Sequence, residues 1–187
     1  SGGGFRASLF HIGVLAQLAE ADLLRKVEVI SCVSGGSILG AYYYLKLKEL
    51  LENNEDGDLK KEDYVQLVKD LEKEFLEKVN KNVRINIFSD LPANFKMAFS
   101  KGYTRSIRTA DLYDKFLYED VINGIPEKIF MQDLLINLKG NKNFSPERDN
   151  LIRENKVPIL ILNATTLNTG HSWQFTATWM GESPAYI

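Results

Sequence analysis

Three consecutive glycines, Gly2, Gly3 and Gly4, directly precede a strongly apolar segment near the start of the chain. The segment SGGGFRAS leads into LFHIGVLAQL, whose apolar residues have the spacing of an amphipathic helix. A glycine-rich turn at a helix start can present several backbone N–H groups to one anion, because glycine tolerates the backbone angles that orient them together. The anion bound in this way is either a phosphate or the oxyanion of an acyl-transfer reaction.

A second glycine-rich segment, ISCVSGGSILG, places a serine between a short β-branched stretch and another helical pattern. A serine with small neighbours at a sharp strand-to-helix turn is typical of the nucleophile elbow, usually written G-x-S-x-G. Here Cys32 replaces the first glycine, and Gly35 and Gly36 follow Ser34. Ser37 is a rival nucleophile, but we favour Ser34 because Ser37 falls within the first helical turn. The alternative is a turn that only begins a helix, with one of these serines as its cap.

Taken together, the two segments favour acyl transfer over phosphate binding. Acyl transfer needs a nucleophile and, about 3 Å from the reacting carbonyl oxygen, a set of backbone N–H donors. Neither segment contains the lysine followed by serine or threonine that a P-loop requires. A dinucleotide-binding loop, G-x-G-x-x-G, would need glycine in place of Ala7, although an alanine variant of that pattern exists. Nucleotide binding therefore stays open, but it does not explain Ser34.

Composition and charge are those of an ordinary globular domain. The chain has 187 residues, of which 44% are hydrophobic and 26% charged, enough for one domain with a sizeable core. A net charge of −2 provides no overall basic field for nucleic acid. One cysteine excludes an internal disulfide, and with only two histidines the composition argues against a metal site. No apolar segment reaches the roughly 18 residues that a membrane-spanning helix needs.

The elements that must position these residues alternate between helix and strand at both ends of the chain. The spacing predicts helices over 8–24, 38–51 and 63–79, and buried strands over 27–33 and 157–163. The hairpin-like turn NTGHS then leads into a second, alternating strand, WQFTATWMG. Between these ends, residues around 112–121 and the segment IPEKIFMQDLLINL are predicted to be helical, and SPERDN an exposed turn. The order predicts an α/β fold with both glycine turns at one edge of a parallel sheet.

The segment SGGGFRASLFHIGVL followed by VISCVSGGS resembles the patatin-like phospholipase family, whose box GGG-x-[RK]-[GA] precedes a G-x-S-x-G elbow. The segment VPILILNATTLNTGHSWQFT resembles the strand and turn that follow the elbow in that family. The resemblance implies a three-layer α/β/α fold with a mainly parallel sheet. It also implies a single patatin-like domain over residues 1–187, cut at both ends, with a helical insertion at about 55–150.

The resemblance assigns roles to residues of the two segments. The oxyanion hole would be formed by Gly2, Gly3 and Gly4, with Arg6 close behind. Ser34 would be the nucleophile of a Ser–Asp dyad that works without histidine. The amide of Gly35, which precedes Gly36 in the elbow, would add a donor at the start of a helix. Arg6 would either neutralise a phospholipid headgroup or orient the glycine loop through hydrogen bonds.

The aspartate of the dyad lies in a D-G-[GA] motif in that family. The chain has one Asp-Gly pair, Asp56-Gly57, in the hydrophilic segment NNEDGDLKK, which is typical of a solvated loop. Asp111, Asp114 and Asp133 have helical surroundings typical of solvated helix faces. We therefore expect the catalytic aspartate to lie beyond residue 187, and residues 1–187 alone to be inactive.

The two histidines and the cysteine are weaker candidates for the chemistry. His171, in the NTGHS turn, is a possible general base, although histidines in turns are usually only solvated. His11 is expected to be a packed or surface residue of the first helix. Cys32 is expected to be an inert core thiol, because it precedes Ser34 on a buried strand.

Motifs and resemblance together predict a serine acyl hydrolase that cleaves lipid esters through an acyl-Ser34 intermediate. It would need no metal or cofactor and would act on lipid or phospholipid at a membrane or micelle surface, as a cytoplasmic or peripheral membrane protein. Two other classes stay open. One is a catalytically silent lipid-binding or interaction module, and the other is a nucleotide-binding α/β domain that uses the glycine-rich turn.

Overall fold

The computed structural model describes residues 1–80, 105–118, 121, 129–141 and 143–182. The α-helices in these ranges are α1 (Phe5–Glu20), α2 (Gly35–Asn53), α3 (Lys61–Asn80), α4 (Arg105–Tyr113) and α5 (Pro146–Asp149). The strands are β1 (Val29–Val33), β2 (Ile159–Thr165), β3 (Ser172–Phe175) and β4 (Met180–Glu182). Shorter helical segments are the 3₁₀ turns Leu24–Lys26, Met131–Leu134 and Asn150–Ile152 and the π-helical turn Asp114–Tyr118.

The chain divides into two compact units. The first contains Ser1–Leu71 and Phe130–Ile187, and it holds both glycine-rich segments and the whole described sheet. The second contains Glu72–Ile129, where the Lys78 Nζ donates a hydrogen bond to the Leu117 carbonyl oxygen at 3.0 Å. The two glycine segments and the described strands therefore belong to the same compact unit.

Helix α1 starts directly after the glycine run. Gly4 precedes it with φ 58° and ψ −145°, a conformation that L residues with a side chain rarely adopt. The helix ends where the chain reaches Asp22, which has φ 57°. The predicted helix over 8–24 is thus confirmed, shifted toward the glycines by about one turn.

Helix α2 is the core helix of the first unit. Its spacing predicts a helix over 38–51, and the structure extends it to Gly35–Asn53. Its large buried apolar and aromatic residues are leucines and tyrosines: Leu39, Tyr42, Tyr43, Tyr44, Leu45, Leu47 and Leu51. Gly40 allows α2 to approach β1 closely, because an added Cβ there would collide with the Cys32 sulfur. This packing fixes α2 against the strand that leads into Ser34.

The sheet has the order β1-β2-β3-β4. β1 and β2 are parallel, in register from Val29 opposite Ile159 to Val33 opposite Asn163. β2–β3 and β3–β4 are antiparallel. The α/β class is confirmed, but the described sheet is mixed rather than mainly parallel. The reason is local: short turns join β2, β3 and β4, and only antiparallel strands can be joined that way.

Two expectations about strands need correction. The segment WQFTATWMG contains two strands and a turn, because the amide of Thr176 donates to the Trp179 carbonyl oxygen at 2.8 Å and reverses the chain. β1 is also less buried than its sequence predicts, since Val29 and Val33 are 51% and 44% exposed. β1 is an edge strand among the described residues, which accounts for the exposure.

The middle of the chain is helical where it is described. Between residues 55 and 150 the described residues form helices and turns and no strand. Helix α3 confirms the prediction over 63–79, with Val68, Leu71 and Phe75 buried on its apolar face. Of IPEKIFMQDLLINL, residues 125–128 lie outside the described residues, and the rest forms only the 3₁₀ turn Met131–Leu134. SPERDN contains the short helix α5 rather than a plain turn.

Candidate active site

Ser34 lies at the turn between the end of β1 and the start of α2, as the elbow pattern predicts. Its backbone has φ 54° and ψ −125°. Among the described non-glycine residues, only Ser34 and Asp22 have a positive φ. This conformation costs a residue with a side chain about 1–3 kcal/mol, and it persists only where the surrounding structure enforces it.

The glycine run packs against this turn. A Cβ added to Gly35 would lie 2.6 Å from the Gly4 carbonyl carbon and 2.7 Å from the Gly4 nitrogen. The amide of Gly36 donates a hydrogen bond to the Ser1 carbonyl oxygen at 2.9 Å. A Cβ added to Gly2 would lie 4.0 Å from the Ser34 Cβ. The two segments identified separately in the sequence therefore meet in space, and the contact requires glycine at position 35.

Three backbone N–H groups at the turn have no hydrogen-bond acceptor among the described residues. Within the described part of the chain, the N–H groups of Gly2, Gly3 and Gly35 donate no hydrogen bond. Gly35 is also the first residue of α2, whose N-terminus carries a partial positive charge. Amides of this kind are the donors that stabilise an oxyanion in acyl transfer.

Arg6 lies in the first turn of α1, two residues after Gly4, and is exposed. Its guanidinium forms no hydrogen bond or ion pair with any residue that the structure describes. The hydrogen bonds that would orient the glycine loop through Arg6 are thus not seen in the described residues.

The sequence matches the family profile described as patatin-like phospholipase over residues 1–172. The chain belongs to this family. No individual curated protein and no solved structure matches it. The family assignment thus rests on the whole matched length, which contains both glycine-rich segments and the elements that join them.

In this member of the patatin-like phospholipase family, Asp56 lies far from Ser34. Its carboxylate accepts hydrogen bonds from the amides of Glu154 and Asn155 at 3.0 and 2.9 Å, and Arg153 lies 3.2 Å away. Both amides precede β2, so Asp56 is at the edge where β1 and β2 begin. Ser34 is at the opposite edge, and a strand of five residues spans about 13 Å. Partial burial raises the pKa of Asp56, but the hydrogen bonds and Arg153 lower it more, and the net shift is downward.

Among the described residues, Asp133 and His171 make no hydrogen bond to Ser34. Asp133 accepts a hydrogen bond from the Phe130 amide at 2.8 Å and caps its own turn. His171 Nδ1 lies 3.2 Å from Glu182 Oε2, and the ring makes no hydrogen bond to Ser34. Asp111 and Asp114 lie in the second unit. The Ser34 hydroxyl forms no hydrogen bond with any described residue.

The surroundings of His11 and Cys32 are those of residues with a structural role. His11 Nε2 lies 3.0 Å from the Ser1 Oγ, and partial burial lowers the pKa of His11. Cys32 is 8% exposed, and burial raises the pKa of its thiol. A protonated, buried thiol is a poor nucleophile.

Two polar residues near the turn were not identified from the sequence. Ser8 is fully buried on α1 and donates a hydrogen bond to the Gly35 carbonyl oxygen at 2.7 Å. Asn163, at the end of β2, donates from Nδ2 to the Cys32 carbonyl oxygen at 2.9 Å. The signal for Ser8 was present, since it shares the apolar face of the helix with Ile12 and Ala19. A polar residue on such a face needs a partner.

No described group of three or more His, Cys, Asp or Glu side chains is arranged to hold a metal ion. Within the same residues, no helix combines the length and the apolar character needed to cross a bilayer.

Proposed function

We propose that this protein is a serine acyl hydrolase that cleaves ester bonds of lipids through an acyl-Ser34 intermediate. The observation that carries the proposal is the left-handed backbone of Ser34, with φ 54°, at a strand-to-helix turn packed on the glycine run. Strained residues of this kind cluster at active sites, where the strain exposes a reactive group. Membership of the patatin-like phospholipase family supports lipid esters as the substrate class.

The reaction begins when Ser34 Oγ attacks the ester carbonyl carbon and its proton passes to a general base. The carbonyl oxygen becomes an oxyanion, which accepts hydrogen bonds from the amides of Gly2, Gly3, Gly4 and Gly35. The tetrahedral intermediate collapses, the C–O bond to the alcohol breaks, and the base returns the proton to that alcohol. Water then attacks the acyl-Ser34 ester by the same route, releasing a carboxylic acid and restoring the serine.

The general base is the part of this mechanism that the described residues do not supply. The resemblance assigns it to an aspartate, and Asp56 lies at the wrong edge of the sheet for that role. We propose that the base is an aspartate outside residues 1–187. An aspartate has an unperturbed pKa of about 3.9, so burial must raise it before it can accept a proton efficiently near neutral pH.

Arg6 is proposed to neutralise an anionic headgroup. Its guanidinium is exposed and unpaired among the described residues, and it lies beside the glycine loop. An arginine in this position suits the phosphate of a phospholipid, because its planar donors pair with phosphate oxygens. The substrate would be presented at a membrane or micelle surface.

Fluorophosphonate labelling of the full-length protein tests the nucleophile. Wild type is expected to be labelled covalently, and Ser34→Ala is expected to lose the label. Ser37→Ala is the matched control: it removes the rival hydroxyl three residues away and should be labelled like wild type. Equal labelling of wild type and Ser34→Ala, or no labelling of either, would exclude Ser34, and the second result would favour a silent lipid-binding module.

A second experiment concerns the base. Residues 1–187 alone are expected to show little or no hydrolysis of a soluble ester such as p-nitrophenyl butyrate. Robust turnover by this segment would mean that the base lies within it. In that case His171→Asn becomes the decisive variant, since His171 lies beyond the end of β2 that adjoins Ser34.

A further inference from the structure

The strained backbone of Ser34 must be held by its neighbours. A residue with φ 54° relaxes toward an ordinary conformation unless the backbone on both sides is fixed. Two backbone carbonyl groups near the serine are those of Cys32 before it and Gly35 after it. Each of them accepts a hydrogen bond from a side chain of another element.

On the helical side, the hydrogen bond is donated by Ser8 of α1. Its Oγ lies 2.7 Å from the Gly35 carbonyl oxygen and 3.5 Å from the Gly4 carbonyl oxygen. Ser8 is 0% exposed, so water cannot take over the bond when the hydroxyl is removed. The same hydroxyl therefore connects the helix that follows the glycine loop to the residue that follows Ser34.

On the strand side, the hydrogen bond is donated by Asn163 of β2. Its Nδ2 lies 2.9 Å from the Cys32 carbonyl oxygen and 2.9 Å from the Ser31 Oγ. Its Oδ1 accepts a hydrogen bond from Gln174 Nε2 at 3.3 Å, which orients the amide so that the NH₂ group faces β1. Asn163 stands opposite Val33, the residue before Ser34. The side chain thus fixes β1 immediately before its turn.

We propose that Ser8 and Asn163 are positioning residues that hold Ser34 in its reactive conformation from opposite sides. The inference rests on the proposed role of Ser34 as the nucleophile and adds the two side chains on which its geometry depends. Neither residue is assigned a contact with substrate. Loss of either one leaves the substrate surface intact and displaces the nucleophile, so acylation should slow while substrate binding stays the same.

The test compares Ser8→Ala and Asn163→Leu with wild type in the full-length protein. Ser8→Ala removes only the hydroxyl, and Asn163→Leu keeps the branching of the side chain, and each substitution removes the hydrogen bond. We expect the labelling rate constant with a fluorophosphonate, and kcat for ester hydrolysis, to fall about tenfold to a hundredfold, with KM within about twofold. Ser8→Cys, which keeps a weaker donor of similar size, is expected to fall between Ser8→Ala and wild type.

Asn150→Leu is the matched control. Asn150 is 3% exposed and makes two hydrogen bonds to the backbone of Val157, both 2.9 Å long, before β2 begins. Its loss should lower the melting temperature without lowering kcat at a temperature where circular dichroism shows a folded protein. If Ser8→Ala does not fold, Ser8→Cys and Asn163→Leu carry the test.

The outcomes separate the two proposals. A wild type that is not labelled, or a Ser34→Ala variant that is, overturns the proposed function. A labelled wild type with Ser8→Ala and Asn163→Leu reacting at the wild-type rate overturns the positioning role alone. An equal loss of kcat in Asn150→Leu also overturns it, because the effect would then follow stability and not the geometry of Ser34.

Discussion

Replacing Gly35 by alanine is the sharpest perturbation that the structure offers. Gly35 is the first residue of α2 and follows Ser34 directly. Its backbone is helical, so alanine brings no conformational penalty there. The effect is entirely steric. The added Cβ would lie 2.6 Å from the Gly4 carbonyl carbon and 2.7 Å from the Gly4 nitrogen, and nearer still to the Gly4 oxygen. All three atoms belong to backbone and cannot rotate away.

The size of the effect follows from these distances. Ordinary van der Waals contact begins at about 3.4 Å, so the glycine loop and the elbow must separate by about 1 Å or more, the Gly4 oxygen requiring the largest shift. Overpacking of this kind costs about 1–3 kcal/mol of stability. A displacement of 1 Å between a nucleophile and the groups that stabilise its transition state can cost about a hundredfold in rate. We therefore expect Gly35→Ala to lower kcat about a hundredfold and to lower the melting temperature as well.

Gly13→Ala is the control for the same chemical change. Gly13 is on α1, and no atom lies within 4 Å of a Cβ added there. Alanine in the interior of a helix is more favourable than glycine by about 0.5–1 kcal/mol. Thermal unfolding and the rate of fluorophosphonate labelling are measured for both variants. Gly13→Ala is expected to melt slightly higher than wild type and to react at the wild-type rate.

The reasoning would be refuted by a Gly35→Ala protein that melts and reacts like wild type. That result would mean that the glycine loop and the elbow are not in contact in solution. If Gly35→Ala lost stability and kept its labelling rate, the contact would be present but would not position the reacting groups.

Three further predictions follow from the same structure. Ser34→Gly should be more stable than Ser34→Ala by about 1 kcal/mol, because glycine tolerates φ 54°; equal melting temperatures would contradict the left-handed turn. Asp56→Asn should lose about 2 kcal/mol at pH 7, since hydrogen bonds from the amides of Glu154 and Asn155 hold the pKa of Asp56 below its usual value. That difference should begin to shrink as the pH falls below about 4, where Asp56 becomes protonated in the unfolded protein. It should vanish at the lower pH at which Asp56 is protonated in the folded protein as well, and a difference that persists there would exclude this origin. Iodoacetamide should alkylate Cys32 slowly in the folded protein and rapidly in denaturant, because burial raises the pKa of the thiol; equal rates would show that it is accessible.

Local patterns allowed a good part of the site to be predicted from the sequence. The glycine run, the strand before Ser34 and the helix after it depend on residue types within a few positions of one another, and the structure has all three. The antiparallel pair β2–β3 agrees with the hairpin-like turn NTGHS, but the separate strand β4 was not predicted. The alternation in WQFTATWMG continues through the turn at Thr176 without glycine or proline to mark it. Strand direction depends on such a turn more than on the strand residues themselves.

The sequence by itself determined which residues have the chemistry of acyl transfer: Ser34, with glycines around it and a glycine-rich turn upstream. Tertiary structure alone decided how they meet. Gly35 touches Gly4, and Ser8 reaches the Gly35 carbonyl 27 residues away. It also decided that Asp56, the one acid in an Asp-Gly pair, lies at the far edge of the sheet. Periodicity records only local order, whereas contacts between distant residues arise from packing that no short window of sequence contains.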